Sequence, residues 1–64
     1  MKRKLLLKYL QSNGCVMVRE GTRHSLFINP DNDKTAAVPR DPDINDYLAR
    51  EICKELGIPK VGSN

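Results

Sequence analysis

Glycine and proline punctuation constrains this chain more than any other feature. Breaks at Gly14, at Gly21-Thr22, at Pro30-Asp31-Asn32-Asp33, at Pro39 to Pro42, and at Gly57 with Pro59 cut 64 residues into five short segments and a tail. None contains an apolar run of membrane-spanning length. A domain of this size buries only about 60% of its unfolded surface, so its core is small and any active site is an open surface. Hydrophobic residues at 39% and charged residues at 30% give a globular balance.

The periodicity inside each segment sets its class. Leu6, Leu7 and Leu10 predict an amphipathic helix with Lys4 and Lys8 on its outer face, stopped at Gly14. Cys15–Glu20 and Arg23–Asn29 are β-prone and separated by the Gly21-Thr22 break; Lys34–Val38 is a third, short strand. Short turns between them predict an antiparallel meander. Asp43 is the expected N-cap of a second helix, with Asp46 favourable in its first turn. Ile44, Tyr47, Leu48, Ile52, Cys53 and Leu56 form its expected apolar stripe. The expected class is α+β, in the order α-β-β-β-α, with a three-stranded antiparallel sheet and two helices on one face. One domain, residues 1–64, is expected to be ordered over about 2–59, with a frayed tail at 60–64.

Compartment and metal content follow from few residues. Met1-Lys2-Arg3-Lys4 before Leu5-Leu6-Leu7 imitates a signal peptide, but Lys8 interrupts the run, so a cytoplasmic chain is expected. Cys15 and Cys53, each among apolar neighbours, are then expected as buried free thiols. One histidine and no CxxC pair leave no zinc site, and neither a P-loop nor GxGxxG offers a nucleotide cofactor site; no cofactor is expected.

The net charge of +3 is unevenly spread. Residues 1–24 hold six basic side chains against Glu20 alone, residues 25–46 are net acidic, and the remainder is nearly neutral. A basic N-terminal half suits phosphates, although a solvated lysine-rich helix has the same composition. The single histidine, His24, follows the glycine break at the entry of the second strand. Strand alternation places it in phase with Leu26 and Ile28, so the expected position is the rim of the core face. Such an imidazole is suited to proton transfer at neutral pH, and Arg19, Arg23 and Lys34 are the expected phosphate clamp, extended by Lys4 and Lys8. Taken alone, a single histidine is more often an ordinary surface or half-buried residue.

The ordered set Asn13-Gly14, Gly21-Thr22, His24, Phe27, Pro30, Val38-Pro39 and Leu56-Gly57-Ile58 resembles the HicA-type mRNA interferase toxins of bacterial toxin–antitoxin pairs, over roughly residues 5–59. The resemblance implies a double-stranded-RNA-binding-like fold, metal-independent endoribonuclease activity on mRNA, His24 as the catalytic residue, and a HicB-type antitoxin as partner. Two positions differ from many relatives: Arg23 separates Thr22 from His24, and Asp41 stands where a second histidine is common. The alternatives are a non-catalytic double-stranded-RNA-binding module of the same fold, which survives loss of His24, and an interaction protein without RNA affinity.

Overall fold

The central strand organises the molecule. In the computed structural model, which describes residues 1–62, the elements are α1 (Arg3–Ser12), β1 (Val16–Glu20), β2 (His24–Asn29), β3 (Lys34–Pro39) and α2 (Asp46–Glu55). The strands form one antiparallel sheet in the order β1-β2-β3. Phe27 pairs with Ala36 and Ser25 with Val38, and all four are buried. Cross-strand partners project to the same side, so these residues define the inner face. Leu6 and Leu10 of α1 and Ala49, Ile52 and Cys53 of α2 join them in one core. Both helices therefore cover one face, giving the expected α-β-β-β-α, α+β architecture. Among the described residues no helix is long and apolar enough to cross a membrane.

The phase of β2 is opposite to the one expected. Ser25, Phe27 and Asn29 point inward, while His24 is exposed and Leu26 and Ile28 are only half-buried. Counting Leu26 and Ile28 as core treats the two polar residues as liabilities. They are satisfied instead: Arg3 Nη2 donates to Ser25 Oγ at 2.8 Å, and Asn29 Nδ2 donates to the Leu56 carbonyl at 2.8 Å. A buried polar group with a partner carries little penalty, so Phe27, the largest fully buried side chain, takes the core. His24 thus belongs to the open face, not to the rim of the core face.

Both helices stop at a glycine. Gly14 (φ 84°) donates to Gln11 O and Cys15 to Leu10 O; Gly57 (φ 71°) donates to Lys54 O and Ile58 to Cys53 O. Each helix thus closes with a left-handed glycine stop whose next residue bonds back into the final turn. The start of α2 departs from expectation. Asn45, not Asp43, is the N-cap, its Oδ1 accepting from Tyr47 N at 2.7 Å. Asp43 is drawn into a short bridge with Lys2, and Ile44 exchanges backbone bonds with Met1 as it enters the core. Asp46 receives the Met1 ammonium at 2.9 Å, a hydrogen bond and charge that hold its carboxyl below the ordinary range. The buried stripe also differs from the expected one: Ala49 joins Ile52 and Cys53 in the core, while Tyr47 and Leu48 are exposed. Cys15 and Cys53 are buried free thiols, and burial pushes both above the usual thiol range. Within the segment expected to fray, Val61 packs into the core; residues 63 and 64 lie outside the described residues.

Gly57 also meets the β2–β3 turn. A Cβ there would lie 2.5 Å from Asn32 Nδ2, the group that donates to Leu56 O at 3.1 Å. Gly57→Ala combines left-handed strain with displacement of Asn32, and the expected loss of stability is about 1–3 kcal/mol in urea denaturation. An unchanged midpoint contradicts this account of the helix stop.

Candidate active site

His24 begins β2 and pairs with Pro39, the last residue of β3, so it stands at one end of the sheet. The β1–β2 turn that delivers it is closed by Gly21 N donating to His24 O at 2.7 Å. Arg40 bridges the same turn: its amide donates to Arg23 O at 3.0 Å, its Nη1 donates to Gly21 O at 3.0 Å, and its Nε lies 3.4 Å from Glu20. Beneath the pair, Arg3 donates from Nε to Pro39 O at 2.7 Å and from Nη2 to Ser25 Oγ. One guanidinium therefore holds the residue opposite His24 and the residue beside it. No described hydrogen bond engages the imidazole itself, which stands exposed in an open depression of about 530 Å³ with Thr22, Arg23, Arg40 and Asp41 among its walls.

The predicted clamp is only partly assembled. Arg23 lines the depression. Arg19 reaches the correct face because β1 carries a bulge between Met17 and Arg19, which leaves Val18 as the extra residue and pairs Arg19 with Leu26. Without that irregularity Val18 would face Leu26 and Arg19 would turn away; bulges re-aim side chains in this manner. Leu26 shares the open face with His24, so Arg19 is its diagonal neighbour, at about 7–8 Å between backbones. Lys34 is not part of this group. It pairs with Asn29 at the opposite end of β2, five residues and about 17 Å from His24, and its side chain lies towards Gly57. Lys4 lines a separate depression beside the N-terminal half of α1, and Lys8 lies a further turn, about 6 Å, along that helix.

Arg3 and Arg40 escaped the sequence reading because both count there merely as charge. The available signal was the alternation Ser25-Phe27-Asn29 around the only phenylalanine, which demands a donor for a buried Ser25. Tyr47 lies exposed in the first turn of α2 and does not line the histidine's depression, so its hydroxyl supplies no acid there. Among the described residues no group of three or more His, Cys, Asp or Glu side chains is placed to hold a metal ion.

Arg3→Lys keeps the charge and loses the fork. The expected result is a loss of about 1–2 kcal/mol in urea denaturation together with displaced His24 ring signals in NMR spectra. Wild-type stability with unmoved ring signals shows that Arg3 does not position the strand end.

No curated protein and no solved structure matches the chain. A family model described as the HicA toxin of bacterial toxin–antitoxin systems matches residues 3–58, a span that includes both helices, the sheet and His24. The chain belongs to the HicA toxin family.

Proposed function

We propose that this protein is the toxin of a toxin–antitoxin pair and acts as a metal-independent endoribonuclease on mRNA, with His24 as its general acid/base. The observation that carries the reading is the placement of the only histidine. It is exposed, free of side-chain partners among the described residues, and beside Arg23 and Arg19 on the uncovered side of the sheet. RNA supplies its own nucleophile. His24 removes the 2′-OH proton, the 2′ oxygen attacks the adjacent phosphorus, and the P–O5′ bond breaks to leave a 2′,3′-cyclic phosphate. Arg23 and Arg19 offset the charge that gathers on the phosphoryl oxygens. The leaving 5′ oxygen takes its proton from water or from His24 in a later step. Asp41, at the position where relatives often carry a second histidine, lines the same depression and places negative charge near the phosphate. Slow turnover follows.

A HicB-type antitoxin is the partner this reading assigns, and the cytoplasm is where its mRNA substrate is found. The rival, a double-stranded-RNA-binding module without chemistry, has the same element order and predicts that His24 is dispensable.

His24→Ala removes the general base at an exposed position, so stability is expected to change little while cleavage falls by about 10²–10⁴-fold and growth inhibition disappears. Wild-type cleavage is expected to persist in EDTA and to leave cyclic-phosphate ends. A variant that cuts at the wild-type rate, or a wild type silenced by EDTA, overturns the mechanism.

A further inference from the structure

The depression around His24 does not stand alone. A second one, of about 640 Å³, lies beside the start of α1, and Arg40 and Pro42 belong to the walls of both. Its apolar surface comes from Leu5, which is 53% exposed, the half-buried Leu7 and Pro42; Lys2 and Lys4 also line it, and both are exposed. The two hollows therefore follow each other around the end of the sheet, from the open face to the helix layer. Arg3 keeps them in register, since its amide donates to Pro42 O at 2.9 Å while its side chain holds Pro39 and Ser25.

We infer that this second hollow is a nucleotide subsite, taking the base and phosphate next to those at the cleaved bond. The inference rests on the ribonuclease reading and adds to it where the substrate strand leaves His24. Its chemistry fits one nucleotide unit of single-stranded RNA: an apolar patch for a base, two unpaired lysines among the described ion pairs for a phosphate, and direct continuity with the cleavage depression. Asp43 is the single carboxylate in its walls, tied by its backbone to Lys2. Double-stranded RNA does not offer a splayed base to such a patch, so the substrate strand is unpaired here.

The test compares two substrates on the intact protein: a dinucleoside monophosphate, which fills only the His24 depression, and a single-stranded RNA of about twelve nucleotides, which fills both. Leu5→Ser and Lys2→Gln, separately, are expected to lower kcat/KM on the longer RNA by about fivefold to tenfold and to leave the dinucleotide rate unchanged. Leu5 is exposed, so its replacement leaves the core intact. If the wild type cuts the longer RNA and both variants cut it equally well, the subsite is overturned while the ribonuclease reading stands. If the variants keep RNA cleavage but lose antitoxin binding, the hollow is a protein-docking surface and the inference also falls. A wild type inert on both substrates overturns the ribonuclease reading itself.

Discussion

Everything at the His24 end of the sheet depends on how two buried polar side chains in β2 are satisfied. Ser25 and Asn29 lie on the face that also carries Phe27, and each finds its partner at a different helix: Arg3 of α1 for one, the carbonyl of Leu56, the C-cap of α2, for the other. Because side chains alternate along a strand, a slip of one residue would send His24 into the core and expel Phe27. The two hydrogen bonds act at opposite ends of the strand, so they fix its phase and its tilt under the helices together. The same bonds stitch α1 and α2 to the sheet in a domain whose apolar core is too small to do so with a wide margin.

Once that phase is set, the face that carries the proposed site is assembled by irregularities. The bulge in β1 turns Arg19 outward beside Leu26, and the Gly21-Thr22-Arg23 turn hands the chain to His24 with a single tight backbone bond. Arg40 then holds that turn from the far side, through Gly21 and Glu20. Each of these departs from regular strand pairing, and each occurs at the same end of the sheet. Local rule-breaking concentrated in one place on a small, ordered scaffold supports the proposed site at this edge.

The segments were legible because their boundaries are chemical. The left-handed stops at Gly14 and Gly57 and the Pro30–Asp33 turn require particular residue types, and these stand plainly in the sequence. The phase of β2 was not legible in the same way. Two candidate faces compete there, Leu26 with Ile28 against Phe27 with two polar residues, and the winner is decided by donors that arrive from residues 3 and 56. Asn45 displaced Asp43 as the cap for a related reason: Ile44 had to reach the core before the helix began, bonded to Met1 on the way. Lys34 and His24 each lie at the start of a β-prone segment in the sequence, and the antiparallel register sets them at opposite ends of the hairpin. His24 stands out in the sequence as the single histidine; its surroundings depend on the fold.

The central claim is that the outward phase of β2 makes this one imidazole both accessible and indispensable. A chain with a single histidine allows this to be measured by diethyl pyrocarbonate modification of the folded protein, following carbethoxylation of His24 and RNA cleavage in the same sample. An exposed ring reacts while the protein is folded, and the account predicts that activity falls in step with modification of one residue and returns when hydroxylamine removes the group. A His24 that reacts only on unfolding, or a fully modified protein that still cleaves, would contradict it.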